Sequence, residues 1–220
     1  NAFFYNSATS ILIKWKSIKL QEDSFFACNA ETIVIEAEDL VIGKEAFSCC
    51  SNIESFTIKA NNTTIGKYAF MYAEPMKSFS WELADKDAVG TKSVLEEGAF
   101  FASGIVDISI PGDEVVVGKD AFSCCSYIKS FSSDCKTISI GNSAFMYADK
   151  LKTFSVPYAN SVEIPGKIDT YAFFACGLES FVVPGCITKI GDDAFSCCSS
   201  LKSVVVPSTV SSIGSGAFSL

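Results

Sequence analysis

A chain of 220 residues, 49% of them hydrophobic and with 19 Phe against 2 Trp and 7 Tyr, carries ample material for a buried core. Its net charge of −8 comes from 17 Lys+Arg and 25 Asp+Glu dispersed as single residues, so the basic stripe that phosphates require is missing and no nucleic-acid partner is expected. The longest apolar run falls far short of the roughly 20 residues that cross a bilayer, so no membrane insertion is expected of this segment. With no histidine, the usual partner of a nucleophilic Ser or Cys is absent as well.

The chain opens inside a repeat. A small residue precedes a phenylalanine at Phe3, Phe25, Phe47, Phe70, Phe100, Phe122, Phe145, Phe173, Phe195 and Phe218, in steps of 22, 22, 23, 30, 22, 23, 28, 22 and 23 residues. A fixed period in the twenties is the mark of a solenoid, in which each unit hides its apolar face against its neighbours. No linker or charge block interrupts the period, so residues 1–220 are expected to form one continuous domain of about nine coils of 22–30 residues. The chain also stops inside a repeat, at Ala217-Phe218, which predicts a piece of a longer protein because solenoids need polar end caps.

Within a unit the elements follow a fixed order, seen best in Ile190-Gly191-x-x-Ala194-Phe195-x-x-Cys198-x-x-Leu201-x-x-Val204-x-Val206-Pro207. The apolar residue five before the phenylalanine, from Leu20 and Ile42 to Ile213, is expected to stack with it along the axis. Glycine follows at Gly43, Gly66, Gly118, Gly141, Gly191 and Gly214, where positive φ or a close backbone approach would select it. The stretch around Ala-Phe is predicted as a short helical or 3₁₀ turn. Apolar positions three and then two apart, as in Ile53, Phe56 and Ile58 or Met76, Phe79 and Trp81, then predict a short strand with these residues on its inner face. Pro111, Pro157, Pro184 and Pro207 close strands, since proline cannot continue the ladder.

A longer period overlies the first. Units read Phe-Phe-Ala at Phe25, Phe100 and Phe173, Phe-Ser-Cys-Cys at Phe47, Phe122 and Phe195, and Phe-Met-Tyr at Phe70 and Phe145, with Phe3-Phe4-Tyr5 a diverged copy of the last kind. Extra residues follow that last kind around Glu82 to Ser93 and Pro157 to Gly166, so both insertions should emerge on one side of the solenoid.

Eight of the ten cysteines fall in the repeat grid. Cys28, Cys50, Cys125, Cys176 and Cys198 lie three residues after the phenylalanine, where Ser103, Ala73 and Ala148 stand elsewhere, and Cys49, Cys124 and Cys197 lie two after. A site that accepts Cys, Ser or Ala selects a small side chain, which favours buried free thiols. Disulfides involving Cys135 or Cys186 are the alternative, and zinc has neither a histidine nor a Cys-x-x-Cys pair to bind it. Carboxylate pairs at Glu96-Glu97 and Asp192-Asp193 could in principle serve a glycosidase, but equivalent sites hold unrelated polar residues, which reads as an exposed turn. Overlapping glycosylation sequons at Asn61-Asn62-Thr63-Thr64 are a chance-prone signal.

The outward strand positions are more informative. One column reads Ser55, Ser78, Ser130, Thr153, Ser180 and Ser203, and the next reads Thr57, Ser80, Ser109, Ser132 and Ser155, completed by Val182 and Val205. Lys77, Lys129, Lys152 and Lys202 run beside them, interrupted by Glu54 and Glu179. Together they predict a continuous, hydroxyl-rich sheet with few charges, read either as a binding face of the kind solenoids use or as a solvated face on which Lys discourages edge pairing.

The unit ending at Pro207 resembles the BspA-like leucine-rich repeats, a family of surface and secreted proteins of oral and gut bacteria and mucosal protozoa, and the resemblance covers essentially all of residues 1–220. It implies an α/β solenoid, a right-handed leucine-rich-repeat superhelix with short parallel strands and short helical turns. It implies too an extracellular or cell-surface setting, adhesion to a host or microbial surface protein or glycan, and no enzyme activity. No cofactor is expected, and a structural spacer without a ligand of its own is the competing role. Gln21, Glu96 and Asp169 replace the glycine in the Phe-Phe-Ala units, which are also one residue shorter before the strand.

Overall fold

The computed structural model describes residues 7–74 and 76–220, and over them the chain winds into a parallel β-solenoid of about nine turns. The first repeat marker, in Phe3-Phe4-Tyr5, lies outside the described residues. Each coil contributes two short strands and a run of turns, which build three walls.

In chain order the first coils hold β1 (Ser10–Lys14), β2 (Ser17–Leu20), β3 (Thr32–Glu36), β4 (Asp39–Ile42), β5 (Ser55–Lys59) and β6 (Asn62–Ile65). The middle coils hold β7 (Ser78–Glu82), β8 (Lys92–Leu95), β9 (Asp107–Ser109), β10 (Glu114–Val117), β11 (Ser130–Ser132) and β12 (Thr137–Ile140). The last hold β13 (Thr153–Ser155), β14 (Gly166–Ile168), β15 (Ser180–Val182), β16 (Ile187–Ile190), β17 (Ser203–Val205) and β18 (Ser212–Ile213). Even-numbered strands form one unbroken nine-stranded sheet, the second wall. Odd-numbered strands form the first wall, divided into the panels β1-β3-β5-β7, β9-β11-β13 and β15-β17.

Strand lengths follow from the residues. Where proline stands two residues past the strand, after β9, β13, β15 and β17, the ladder stops at three residues, and β11, which pairs only with β9 and β13, is held to the same length, whereas β1, β3, β5 and β7 run for five. The two panel breaks follow the insertions, residues 83–91 and 156–165, and both insertions leave at the same corner, between a first-wall and a second-wall strand. At each break the next coil is a shortened Phe-Phe-Ala unit whose glycine N–H reaches back instead: Gly104 donates to the Ala73 carbonyl at 3.0 Å and Gly177 to Ala148 at 3.1 Å.

The expected helical turns are absent among the described residues, and the hydrogen bonds say why. Around Phe25, the N–H groups of Ser24, Phe26 and Cys28 close three-residue turns onto Gln21, Asp23 and Phe25, at 3.3, 3.2 and 3.0 Å. The alternate N–H groups, of Asp23, Phe25 and Ala27, donate to Lys44, Ala46 and Ser48 of the next coil at 3.0, 2.8 and 2.9 Å. Half the donors are thereby committed along the axis, so no i to i−4 ladder can form. The same alternation recurs along the solenoid, making this third, turn wall a ladder of its own.

The turns need a left-handed residue two before and two after each phenylalanine. Fifteen non-glycine residues supply it, from Asp23 at φ 55° and Ala27 at φ 50° to Asp193 at φ 51° and Cys197 at φ 59°. The repeated glycine has no part in this: Gly43, Gly66, Gly118, Gly141, Gly191 and Gly214 are missing from the positive-φ residues, and of the two reasons offered for them only close approach applies. A Cβ on Gly118 would sit 2.5 Å from the Leu95 carbonyl oxygen and 2.8 Å from the Glu96 carbonyl carbon, backbone atoms of the preceding coil that cannot swing aside. Gly118→Ala should therefore destabilise the protein by about 1–3 kcal/mol through overpacking, outweighing the smaller entropic gain of alanine. Thermal melting of G118A beside E96A checks this, because Glu96 already carries a Cβ at the equivalent place and E96A should melt close to the parent.

The core is a herringbone of aromatic rings. Phe25, Phe47, Phe70, Phe100, Phe122, Phe145, Phe173, Phe195 and Phe218 stack in one column, with the centroids of Phe25 and Phe47 4.8 Å apart and those of Phe145 and Phe173 5.1 Å apart at an interplanar angle of 2°. Phe56, Phe79, Phe131 and Phe154, from the first wall, meet that column edge-on. Isoleucine, leucine and valine of the second wall, Ile42, Ile65, Leu95, Val117 and Ile140, close the other side and are buried.

Candidate binding face

The residues of the two outward columns and the lysines beside them all stand on the first wall or at its entry corner, and all lie outside the core. Ser55 and Thr57 of β5 face Ser78 and Ser80 of β7 in register. Ser130 and Ser132 of β11 face Thr153 and Ser155 of β13, and Ser180 of β15 faces Ser203 of β17. Alternation does this: Phe56 and Phe131, between hydroxyl residues, and Phe181, between Ser180 and Val182, turn inward to the ring column and are buried. Lys77, Lys129, Lys152 and Lys202 precede their strands and are exposed.

One expectation needs correction. The hydroxyl sheet is not continuous, because the panel breaks separate β7 from β9 and β13 from β15. Each break opens a cleft. One of about 240 Å³ is lined by Glu74, Met76, Lys77, Gly104, Val106 and Tyr127, with the Lys150 ammonium 5.1 Å from the Tyr127 ring centroid. The other, of about 320 Å³, lies among Phe154, Val156, Pro157, Val182 and Pro184. What sets these two places apart in the sequence is the insertion before each Phe-Phe-Ala unit, since the equally short unit at Phe25 leaves no gap, and an insertion does not by itself disclose a cleft.

The lysine row is largely ion-paired. Lys77 pairs with Glu54 of the preceding coil at 2.6 Å, and Lys152 and Lys202 flank Glu179 at 3.6 and 3.4 Å. Lys202, then Lys152, hold the Glu179 carboxyl below its ordinary value. Lys152 also donates to the Gly177 carbonyl at 2.9 Å, tying the second break. Lys129 has no ion-pair partner among the described residues. What the wall offers a partner is thus hydroxyl groups and largely neutralised ion pairs, together with the exposed Leu12, Val182 and Val205 toward its two ends and the unpaired Lys129 in the middle panel.

The carboxylate pairs work as coil-to-coil struts. Glu97 accepts from Lys67 at 3.3 Å and Lys119 at 3.2 Å, one from each adjacent coil, and the two lysines lower its carboxyl, Lys119 foremost. Asp192 accepts the Ser215 N–H at 2.9 Å, and Asp193 is one of the left-handed turn residues. The sequon residues are engaged too: Asn62 donates to Asp39 at 2.9 Å, Asn61 accepts the Asp85 N–H at 2.8 Å, and Thr63 is buried.

The cysteines divide by column. Those three after the phenylalanine are buried, together with Cys135 and Cys186, whereas Cys49, Cys124 and Cys197 are exposed on the turn wall, contrary to a uniformly buried grid. In each Phe-Ser-Cys-Cys unit the second thiol donates to the preceding coil's phenylalanine carbonyl, Cys50 to Phe25 at 3.1 Å, Cys125 to Phe100 at 2.9 Å and Cys198 to Phe173 at 2.9 Å. Burial pushes the Cys125 thiol up to about 12 and that of Cys135 to about 11.

A family model described as a BspA type leucine-rich repeat region, in six copies, matches residues 1–86, 89–166 and 166–220. No curated protein and no solved structure matches the chain.

Proposed function

The chain belongs to the BspA-type leucine-rich repeat family, a protein-interaction type of repeat associated with surface proteins, and from that premise we propose that it is an extracellular or cell-surface adhesion module. It would engage a host or microbial surface protein or glycan through the panels of the first wall, without enzymatic turnover. The observation that supports this reading is the registered pairing of short hydroxyl side chains, Ser130 with Thr153 and Ser132 with Ser155, across a wall whose opposite face is fully apolar. Short side chains leave backbone-supported donors and acceptors within reach of a flat partner and cost little rotamer entropy on binding.

Enlarging these side chains tests the reading without touching the core. Ser132→Arg with Ser155→Arg should weaken attachment of the protein to immobilised host-surface proteins or to a glycan array at least about tenfold, or about 1.4 kcal/mol. The matched pair on the second wall, Thr64→Arg with Ser139→Arg, should leave attachment intact. Equal loss from both pairs would point to a non-specific effect, and attachment indifferent to both would leave the role of a spacer. Release of sugar from the array by the unaltered protein would instead reinstate the glycosidase reading of its carboxylates.

A further inference from the structure

In two places consecutive coils bring buried thiols into contact. Cys28 Sγ lies 3.3 Å from Cys50 Sγ, and Cys176 Sγ lies 3.5 Å from Cys198 Sγ. Each pair occupies the same column of adjacent coils, three residues past rings stacked at 4.8 Å (Phe25 on Phe47) and 4.9 Å (Phe173 on Phe195). That coil spacing falls inside the Cα separation that disulfides adopt, about 4.4–6.8 Å. The backbone beside each pair is already tied by the turn ladder, with Ala27 N–H on Ser48 and Ala175 N–H on Ser196, both at 2.9 Å. Closing the sulfurs to about 2.05 Å is then a matter of side-chain torsions.

The third copy of this arrangement serves as an internal comparison. Its Phe-Phe-Ala unit carries serine, so Cys125 meets the Ser103 hydroxyl at 3.7 Å and no thiol; its other column neighbour is Ala148.

We propose that Cys28 with Cys50 and Cys176 with Cys198 are two coil-to-coil staples, disulfide-bonded when the chain folds in the presence of a low-molecular-weight disulfide such as oxidised glutathione and dithiol when it does not. One protein thiolate attacks a glutathione disulfide sulfur, releasing one glutathione thiolate and leaving a mixed disulfide. The second protein thiolate then displaces the other glutathione. Two protein thiols are oxidised, one glutathione disulfide is reduced to two glutathiones, and the two protons pass to them. The exchange belongs to folding, before the coils close, since all four sulfurs end up buried. Within each folded pair the thiols share a hydrogen bond that lowers one, Cys28 to about 7 in the first pair and Cys198 in the second, and raises its partner.

The test refolds the 220-residue chain with oxidised and reduced glutathione, quenches it with acid, alkylates it in denaturant so that every remaining thiol reacts, and maps the linkages by mass spectrometry without reduction. The expected result is a Cys28–Cys50 and a Cys176–Cys198 cross-linked peptide, with Cys125 recovered alkylated. Running the same protocol on C49A/C124A/C197A removes the exposed thiols, using the alanine that Ala27, Ala102 and Ala175 already hold at that position. In that variant titratable thiols should fall from seven to three, or to one where Cys135 and Cys186 also join. C28S, which copies the Ser103–Cys125 arrangement, should fold with an unchanged circular dichroism spectrum and lose only the first staple. Either designated pair recovered fully alkylated from folded protein, or Cys125 cross-linked as often as they are, overturns the proposal.

Discussion

Phe145→Ala is expected to remove about 3–5 kcal/mol of stability, the full cost of emptying a buried aromatic site. The ring is fully buried and stands between Phe122, with centroids 5.0 Å apart, and Phe173, at 5.1 Å, while Phe131 and Phe154 meet it edge-on at 5.4 and 5.7 Å. Four aromatic neighbours, drawn from the preceding coil, its own and the next, lose contact together. The surrounding strands cannot collapse into the space, because the turn ladder on one side and the second wall on the other hold the coil spacing. Phe218 supplies the contrast: it is 39% exposed and packs on Phe195, so Phe218→Ala should cost about 1 kcal/mol, the transfer term of a half-covered side chain. Urea unfolding followed by tryptophan fluorescence and circular dichroism compares the two. A solenoid couples only through neighbours, so the Phe145 variant should also broaden the transition as the two halves lose contact across the gap. Equal midpoints for the two variants would show that the ring column is not what holds the coils together.

The ring column was legible in the sequence because its signal is redundant: residue type, period and burial all point inward. The second wall was not, although Leu40 and Ile42, Val115 and Val117, and Ile138 and Ile140 alternate as a strand should. Four residues carry only two inward positions, and one of these was already explained by stacking on the phenylalanine. The turn wall was misjudged for a different reason. Whether the N–H of Phe25 closes a helical turn or crosses to Ala46 depends on a residue 21 positions away, so local propensity does not contain the answer. Nor does residue type disclose that Tyr68, Glu45 and Cys124 adopt left-handed backbone, a conformation that costs roughly 1–2 kcal/mol in isolation and is imposed here by the ladder.

The candidate face divides the same way. Its columns were placed correctly because period two is a local property, and Ser130, Ser132, Thr153 and Ser155 fall where the spacing puts them. Its continuity was overestimated, because that depends on what the next coil does. Glu54 and Glu179, read as interruptions of a lysine row, are the partners that neutralise it. The wall divides into panels only where an insertion precedes a Phe-Phe-Ala unit, whereas the equally short unit at Phe25 pairs β3 with β1 over five residues.

Closing both staples should raise stability by about 3 kcal/mol each, since a disulfide spanning the 22-residue separation of Cys28 and Cys50 removes that much chain entropy from the unfolded state. The thiol hydrogen bond each replaces is worth about 1 kcal/mol at most, so the sign does not depend on it. Position matters as much as magnitude. The staples join the coils of Phe25 to Phe47 and of Phe173 to Phe195, one toward each end of the described solenoid, where an array stabilised by neighbour contacts opens most readily. The middle pair, Ser103 with Cys125, lies where coils on both sides already support it and gains least from a covalent link. Oxidised protein should therefore resist limited proteolysis in the coils around Phe25 and Phe195 far more than reduced protein, while cleavage near Phe122 changes little. The double variant C28S/C176S should show the reduced pattern under both conditions. Uniform protection along the chain on oxidation would contradict staples at these two places, because a link confined to the outer coils cannot slow opening equally everywhere.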